Sequence, residues 1–300
     1  MSPLAVQVPC PAKVNLFLEV TGKRKDGYHT LATLFAKISV YDVVEAAIRE
    51  SPGFELEIVP ESGQPLSAGP DNLVLRAAEA FRKEFRLGLG ARLRLIKRIP
   101  MGAGLGGGSS DAAGTLLALT RLFGMENDAG LRPRLKKLAA KLGADVPVFL
   151  NPHPICAGRG IGDRLSPVRA GKALPWMVLV FPGVEVPTKE VFGRLVRPGR
   201  SDVLTNLSHL DKLTRKLEKG RAISDWKGHL FNRLESEVLP RRPEVRQAKE
   251  ILIRSGLEGV LMSGSGSSVF GFAASHAQGE RALERLRAYP WKVFLASGLG

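Results

Sequence analysis

A glycine-rich segment constrains this chain more than any other feature. The stretch IPMGAGLGGGSSDAAG runs from Ile99 to Gly114, and five of the seven residues from Gly102 to Gly108 are glycines. Glycine weakens helices and strands because it loses the most backbone freedom on ordering. The segment follows a predicted strand over Ala91–Ile99 and precedes a predicted helix that begins at Ser109. In such an arrangement, backbone N–H groups and a helix N-terminus can converge on a phosphate. The sequence therefore predicts a phosphate-binding loop.

Two common phosphate loops do not fit this segment. The Walker A pattern ends in Gly-Lys-Ser/Thr, and Ser109 has no lysine before it. The dinucleotide pattern GxGxxG matches the glycines within Gly102–Gly107. That pattern also needs an acidic residue about 20 positions on, at the end of the next strand. Glu126 and Asp128 lie near that distance, but in a predicted turn that leads into a helix. Neither pattern explains the loop.

Length allows one large domain or two ordinary ones, and the order of the predicted elements favours two. The chain has 300 residues, and its 44% hydrophobic and 24% charged residues are typical of a folded protein. Predicted strands and helices do not alternate strictly, which indicates an α+β architecture. A proline- and glycine-rich stretch around residues 150–175 is the expected domain boundary.

Cysteine content and charge indicate the cellular compartment and the kinds of binding partner to expect. Cys10 and Cys156 are too few for a disulfide framework, so a reduced, cytoplasmic chain is expected. No apolar run approaches the ~18 residues of a membrane span, and the N-terminus lacks the pattern of a signal peptide. The 44 basic and 29 acidic residues give a net charge of +15. This surplus suits nucleic acid, anionic lipid or phosphorylated small molecules, and equally a solvated basic surface.

Several motifs together resemble one known family. PMGAGLGGGSSDAA resembles the ATP-binding motif of the GHMP kinase superfamily. PAKVNLFLEVTGKRKDGYHTL is similar to the N-terminal sequence of those superfamily members that act on a cytidine diphosphate-linked methylerythritol. Four further motifs follow in the order that this family requires: LGADVPVFL (Leu142–Leu150), VPTKEVF (Val186–Phe192), FNRLE (Phe231–Glu235) and SGSGSSVFG (Ser263–Gly271). The resemblance spans nearly the whole chain.

The resemblance implies both a fold and a reaction. The fold would be the two-domain α+β GHMP kinase fold, with a ribosomal-protein-S5-domain-2-like N-terminal domain over 1–160 and a ferredoxin-like α/β sandwich over 161–300. The reaction would be ATP-dependent phosphorylation of the 2-hydroxyl of the methylerythritol unit, in the non-mevalonate isoprenoid precursor pathway. ATP is expected as co-substrate, with Mg²⁺. No nucleic acid or membrane partner is expected, and the oligomeric state stays open.

Catalytic and ATP-binding residues are carried over from the matching motifs. Asp145 would accept the proton of the substrate hydroxyl, and Lys13 would hold the reacting oxygen and offset charge on the γ-phosphoryl. Without the matching motifs, Asp145 would be interpreted as a helix cap and Lys13 as a solvated lysine. Lys97 would likewise be interpreted as a solvated strand lysine. The residues that the resemblance places at ATP are Asn72, Lys97, Pro100, Met101, Gly102, Ala103, Gly104, Leu105, Gly106, Gly107, Gly108, Ser109 and Ser110.

Five residues are expected at the second substrate. The resemblance places Tyr28 and Phe192 against the cytosine by stacking and His29 at its edge by hydrogen bonds. Asn15 and Thr188 match further substrate contacts. Aromatic faces stack well on nucleobases, which suits these residue types to the task.

Two alternatives stay open. A sister kinase that acts on mevalonate, homoserine or a sugar would share the glycine loop, and the DGYH stretch (Asp26–His29) argues against it. An RNA-binding module would suit the charge of +15, because phosphate contacts dominate such binding. Aromatic residues are only 6%, however, and no aromatic RNA-binding strand is visible.

Overall fold

The computed structural model describes residues 5–196 and 198–300. Contacts divide the chain into two compact units. Unit 1 contains the chain up to Ala12 together with Val40–Met101 and Gly106–Pro152. Unit 2 contains Lys13–Ser39, Gly102–Leu105 and His153–Gly300. Two long strands, β1 (Ala5–Lys23) and β2 (His29–Arg49), contribute residues to both units.

Unit 1 combines sheet and helix. Strand β2 pairs antiparallel with β4 through Val43–Arg49, and β4 pairs in parallel with β3. The further elements of the unit are β3 (Phe54–Val59), α1 (Leu73–Phe85), β4 (Gly90–Ile96), α2 (Gly107–Leu122), α3 (Leu131–Leu142) and α4 (Val146–Leu150). The four helices pack on one another, and α1 also contacts β3.

The start of helix α1 follows from its sequence. Asn72 is the N-cap, and its Oδ1 accepts a hydrogen bond of 2.9 Å from the amide of Val74. A side-chain acceptor at this position satisfies one of the amides that lack a partner within the helix. Val74, Ala77 and Phe81 then recur on one face and are buried. The sequence predicts a cap at Asp71-Asn72 and an apolar face of Leu73, Ala77, Ala80 and Phe81. The cap at Asn72 is confirmed, and of that face Ala77 and Phe81 are buried while Leu73 and Ala80 are only half-buried.

Helix α2 begins two residues earlier than Ser109, the predicted start. Its first residue is Gly107, and its N-cap is Gly106, which has a left-handed backbone (φ +70°). No side chain caps this end. Glycine adopts positive φ without steric cost, so the backbone of Gly106 turns the chain into the helix and Ser109 is not needed as a cap.

Unit 2 contains a four-stranded antiparallel sheet in the order β11-β7-β10-β9. Its strands are β7 (Trp176–Phe181), β9 (Glu258–Met262), β10 (Val269–Ala273) and β11 (Lys292–Ala296). Helices connect β7 to β9 and β10 to β11, while β9 and β10 form a hairpin. This is the βαββαβ order of a ferredoxin-like sandwich, as the resemblance implies.

Within the residues that the structure describes, unit 2 also contains three shorter strands, six helices and a 3-10 turn. Strand β5 pairs antiparallel with β2 and with β6, and β8 pairs in parallel with β1. These elements are β5 (Ile155–Arg159), β6 (Arg164–Pro167), α5 (Thr188–Arg194), α6 (Arg200–Glu218), α7 (Ile223–Trp226), a 3-10 turn (Lys227–His229), β8 (Phe231–Asn232), α8 (Glu235–Val238), α9 (Pro243–Arg254) and α10 (His276–Leu286). Among the described helices, none has the length and apolar character that crossing a membrane requires.

Strands β1 and β2 are longer than the apolar runs that predicted them. The predictions covered only Val14–Val20 and Thr30–Val40. Lys13, Asn15 and Asp42 interrupt or border these runs, yet all three side chains are buried. Buried polar side chains need partners, because leaving them unpaired in a dry interior is costly. Those partners define the functional site.

Candidate active site

Lys13 is a buried lysine on β1, only 3% exposed. Its Nζ donates to Oδ1 of Asn15 over 2.6 Å and lies 5.7 Å from the centre of the Phe35 ring. A lysine in this position cannot be a solvated strand residue. The structure therefore excludes that interpretation of Lys13 and joins two predicted site residues, Lys13 and Asn15.

A second hydrogen bond orients Asn15. Its Nδ2 donates to Oγ1 of Thr33 over 2.8 Å, and the Thr33 hydroxyl donates to the carbonyl of Phe17 over 2.7 Å. Since the single hydroxyl proton of Thr33 goes to that carbonyl, the hydroxyl oxygen accepts from Asn15. This fixes the amide so that its oxygen faces Lys13. Thr33 belongs to the site although the motifs did not identify it.

Residues 103–105 of the glycine segment are held by their carbonyl groups. Ala103 O accepts from the amide of Ser268, Gly104 O from the Ser263 hydroxyl and Leu105 O from the amide of Lys13, at 3.1, 2.9 and 3.0 Å. Three consecutive carbonyls that would repel a phosphate are thus engaged with the protein. Backbone amides are the groups that bind anions in such loops.

Gly104 shows why this segment needs glycine. Its backbone is left-handed, with φ +74°, and a Cβ atom there would overlap the carbonyl oxygen of Ser263. Gly102 is also left-handed, with φ +60°, and faces the side chain of Glu185. Close backbone approach and positive φ both exclude larger residues at Gly104.

Three buried charged side chains lie beneath the end of the glycine segment. Nζ of Lys97 donates to Oδ2 of Asp42 over 2.5 Å and to Oδ2 of Asp111 over 2.7 Å. Lys97 is 2% exposed and Asp42 is 0% exposed. The expectation that Lys97 could be a solvated strand lysine is therefore wrong. We refer to Asp42, Lys97 and Asp111 as the buried triad. A direct contact of Lys97 with ATP stays a prediction.

Burial sets the protonation of the triad. It raises the pKa of Asp111 to about 8, with repulsion from Asp42 adding to the shift and Lys97 opposing it. Burial alone would lower the pKa of Lys97, but the carboxylates of Asp111 and Asp42 outweigh it and raise that pKa. Lys97 is thus charged, and Asp111 holds its proton more tightly than an ordinary aspartate.

Asp145 lies in unit 1 at the N-terminus of α4, directly after the turn that follows α3. The residue is half-buried. Its carboxylate makes no capping hydrogen bond to α4. Asp145 is therefore the N-cap of α4 by position but not by a side-chain hydrogen bond, and its role as proton acceptor stays a prediction.

The predicted ATP residues Asn72, Pro100, Met101 and Ser110 belong to unit 1. The Asn72 side chain caps α1 and also donates to the carbonyl of Ser67. Pro100 is buried, and the amide of Met101 donates to Oε1 of Gln64 over 2.8 Å. Ser110 Oγ is buried and has no hydrogen-bond partner in the part of the chain that the structure describes.

Predicted substrate residues cluster in unit 2. The rings of His29 and Phe192 lie 5.3 Å apart with a tilt of 30°. Burial, and secondarily the charge of Lys23, lowers the pKa of His29. Tyr28 is 62% exposed, and Thr188 Oγ1 lies 2.8 Å from Oγ of Ser265. The structure thus brings His29 together with Phe192 and leaves the Tyr28 ring open to solvent.

Comparison with known proteins identifies the family of this arrangement. Residues 72–152 match the model of the GHMP kinases N terminal domain, and residues 212–290 match that of the GHMP kinases C terminal domain. The 4-diphosphocytidyl-2-C-methyl-D-erythritol kinase of Chlorobaculum tepidum is 40% identical over 278 residues, which cover 92% of each chain.

Solved structures agree with this relationship. A crystal structure of 4-(cytidine 5'-diphospho)-2C-methyl-D-erythritol kinase has a TM-score of 0.78 and 37% identity, covering 98% of this chain and 100% of that one. A homoserine kinase of Cytophaga hutchinsonii, at 18% identity, has a TM-score of 0.76 over 99% of this chain and 95% of its own. The latter shows a shared fold alone. The expected two-domain GHMP kinase fold is confirmed, and the chain belongs to the 4-diphosphocytidyl-2-C-methyl-D-erythritol kinase family of GHMP kinases.

Proposed function

We propose that this enzyme transfers the γ-phosphoryl group of ATP to the 2-hydroxyl of 4-diphosphocytidyl-2-C-methyl-D-erythritol, a step of non-mevalonate isoprenoid precursor synthesis. Family membership implies ATP as co-substrate. One observation carries the assignment of the site. The amide of Lys13 bonds to the carbonyl of Leu105, so the lysine expected at the reacting oxygen adjoins the loop expected at the phosphates.

The glycine segment would bind the phosphates of ATP. The carbonyls of Ala103, Gly104 and Leu105 are engaged with the protein, which leaves amides as the loop's groups for an anion. Helix α2 starts at Gly107 and adds the unpaired amides and positive end of its dipole. Backbone groups fixed in this way stabilise phosphoryl charge without reorganising during the reaction.

Asp145 and Lys13 would carry the chemistry. The carboxylate of Asp145 accepts the proton of the 2-hydroxyl while the hydroxyl oxygen forms its bond to the γ-phosphorus. The bond from that phosphorus to the β,γ-bridging oxygen breaks, and ADP leaves. The ammonium of Lys13, held by Asn15, offsets negative charge on the transferred group. Phosphoryl transfer depends mainly on such positioning and charge neutralisation.

Cytosine recognition would fall to His29, Phe192 and Tyr28. The lowered pKa of His29 keeps its imidazole neutral near pH 7, so the ring offers one donor and one acceptor to the edge of the base. Phe192 lies against His29 and supplies a stacking face. The exposed ring of Tyr28 provides a second face. Thr188, bonded to Ser265, would contact the remainder of the substrate.

Mg²⁺ fits an oxygen atom beside the loop. The described residues contain no group of three or more His, Cys, Asp or Glu that could hold a metal. Mg²⁺ at a nucleotide takes most ligands from phosphates and water and few from protein. Ser110 Oγ, a buried oxygen without a hydrogen-bond partner among the described residues, is the atom of this chain that would hold it. When bound, Mg²⁺ would neutralise charge on the β- and γ-phosphates.

The location, the partners and the domain boundary of the enzyme are expectations from the sequence. A cytoplasmic location, the lack of a nucleic-acid partner and the division at residue 160 stay predictions. The oligomeric state stays open.

ADP release from ATP and Mg²⁺ tests the proposed substrate. The acceptors to compare are 4-diphosphocytidyl-2-C-methyl-D-erythritol, mevalonate, homoserine and galactose, each with the unaltered chain and with Asp145→Asn. We expect ADP release only with the cytidylylated alcohol, and its loss in the variant. Release with another acceptor would refute the substrate and keep the kinase. Equal turnover by Asp145→Asn would refute the role of Asp145.

A further inference from the structure

The buried triad connects both ends of the glycine segment to strand β2. Asp42 on β2 uses Oδ1 to accept from the amides of Arg98 and Ile99, over 2.6 and 2.8 Å. Its Oδ2 accepts from Lys97. Lys97 also donates to Asp111, in the first turns of α2. The carboxylate of Asp42 thus holds the backbone at the start of the glycine segment. Through Lys97 it also holds helix α2 at the end of the segment.

The triad is also packed against the segment itself. A Cβ atom at Gly107 would lie 2.8 Å from Nζ of Lys97 and 3.0 Å from Cγ2 of Ile99. Gly107, Lys97, Asp42 and Asp111 all belong to unit 1. The first residue of α2 can approach Lys97 this closely only because it has no side chain.

Simple stability does not explain such an arrangement. Two aspartate side chains and one ammonium are removed from water here, and desolvation of buried charged groups can exceed their mutual attraction. Oδ1 of Asp111 has no hydrogen-bond partner among the described residues. An apolar core of the same volume would often be as stable or more so. What apolar residues cannot supply is an acceptor for two consecutive amides at a fixed place.

We propose that Asp42 is a positioning residue for the nucleotide: it fixes the two ends of the glycine segment, and thereby aligns the segment's amides for the phosphates of ATP. The inference rests on the proposed function, since it assigns ATP to this loop. It adds a residue that contacts no substrate and acts through Arg98, Ile99 and Lys97. Loss of the anchor should weaken ATP binding and leave the cytidine end of the second substrate unaffected.

The first test uses Asp42→Asn, which preserves the volume of the side chain. The asparagine keeps one oxygen that can accept hydrogen bonds, but it loses the negative charge opposite Lys97. Calorimetry would measure the Kd of a non-hydrolysable ATP analogue and, separately, of cytidine diphosphate. We expect the Kd of the ATP analogue to rise about tenfold, equivalent to about 1.4 kcal/mol, and the Kd of cytidine diphosphate to change less than twofold. A merely structural role would weaken both in proportion to the unfolded fraction.

The matched control is Glu84→Gln in the same unit. It removes the ion pair of Glu84 with Arg134, whose Nε lies 3.0 Å from the carboxylate, and this pair joins α1 to α3 away from the triad. We expect both dissociation constants to stay within twofold of those of the unaltered chain. A tenfold rise for the ATP analogue in this control would overturn the assignment to Asp42.

A second variant keeps the proposal testable if Asp42→Asn does not fold. Asp42→Leu combined with Lys97→Met and Asp111→Leu replaces the triad by apolar side chains, a change that folded proteins often tolerate. Hydrogen–deuterium exchange would then follow the amides of Arg98 and Ile99 without any nucleotide. Faster exchange there supports the inference; a raised Kd of the ATP analogue is required but does not suffice, because Lys97 is itself a predicted ATP contact. Unchanged exchange or unchanged affinity overturns it.

The outcomes also separate the two proposals. If the unaltered chain does not bind the ATP analogue, the proposed function and this inference both fail. If it binds and Asp42→Asn binds equally well, only the inference fails.

Discussion

The ammonium of Lys13 lies 2.6 Å from the side-chain oxygen of Asn15, its neighbour two positions along β1. Residues two apart on a strand project from the same face, so the strand itself aligns the pair. The Thr33 hydroxyl, on β2, fixes which amide atom of Asn15 faces the lysine. Strand periodicity and one threonine thus position the cation that we place at the transferred phosphoryl group.

Thr33→Val should lower kcat about tenfold with little change in the KM for ATP. The variant leaves the buried amide of Asn15 without its acceptor, which costs ~1–3 kcal/mol and releases its orientation. Steady-state kinetics would measure the effect, and Thr33→Ser should restore most of the activity. Thr120→Val is the matched control, because it removes a buried hydroxyl that donates to the carbonyl of Leu116. Equal losses in both valine variants would contradict the role of Thr33.

Gly104→Ala should reduce affinity for ATP at least tenfold. The left-handed backbone at Gly104 costs a non-glycine residue ~1–2 kcal/mol, and its Cβ would overlap the Ser263 carbonyl oxygen. The loop would have to shift away from Ser263 and Ser268. Calorimetry with a non-hydrolysable ATP analogue would measure this. Gly88→Ala, at an exposed position with no atom near the added methyl, should bind like the unaltered chain. Tight binding by Gly104→Ala would contradict the loop's role.

Phe192→Leu should raise the KM for the cytidylylated substrate about tenfold and leave the KM for ATP unchanged. The variant keeps an apolar side chain beside His29 but removes the stacking face, and base stacking contributes ~1–3 kcal/mol. Initial rates at varied concentrations of each substrate would separate the two constants. Phe85→Leu, which removes a ring on α1, provides the control. A rise in the KM for ATP alone would show that Phe192 acts at ATP and not at the cytidylylated substrate.

Asp111 should make the protein less stable as pH rises. Its pKa is about 8 in the folded chain against an ordinary value of 3.8, so the folded state binds its proton more tightly. The stabilisation is fully present below about pH 4 and is lost as pH rises through about 8. Relative to Asp111→Asn, the free energy of unfolding of the unaltered chain should therefore fall from pH 5 to pH 9.

Urea unfolding at several pH values would measure that difference. The exposed Asp128 provides a control, and the same comparison with Asp128→Asn should show no such trend. A difference from Asp111→Asn that stays constant from pH 5 to pH 9 would show that Asp111 is an ordinary ionised carboxylate and contradict the raised pKa.

Much of the fold was predictable because its signals are local. Short patterns predict the cap at Asn72, a helix over Leu131–Leu142, and two short strands around the glycine-serine turn of GVLMSGSGSSVFGF. The structure has all three. Helix α2 starts earlier than predicted because a left-handed glycine, Gly106, takes the place of a side-chain cap. Strands β1 and β2 extend beyond their apolar runs, and their buried polar residues Asn15 and Asp42 have partners 18 to 57 positions away.

Residues of the site were predictable from the sequence only where they lie in a motif of the family. Lys13, Asn15, His29 and Phe192 came from the family resemblance, and the structure joins Lys13 to Asn15 and His29 to Phe192. Thr33 and Asp42 were missed, since their partners lie 16 to 57 positions away. One signal was present: Asp42 stands within the apolar, β-branched stretch SVYDVVE, where a carboxylate must be paired if it is buried.

Phosphorus NMR of the reaction mixture tests the central claim most directly. The chain would be incubated with ATP, Mg²⁺ and 4-diphosphocytidyl-2-C-methyl-D-erythritol, and the products followed over time. We predict one new phosphate monoester signal, coupled to no other phosphorus, that grows in step with ADP while the cytidine diphosphate signals stay intact. Inorganic phosphate as the sole new signal beside ADP, or no change at all, would contradict phosphoryl transfer to the 2-hydroxyl.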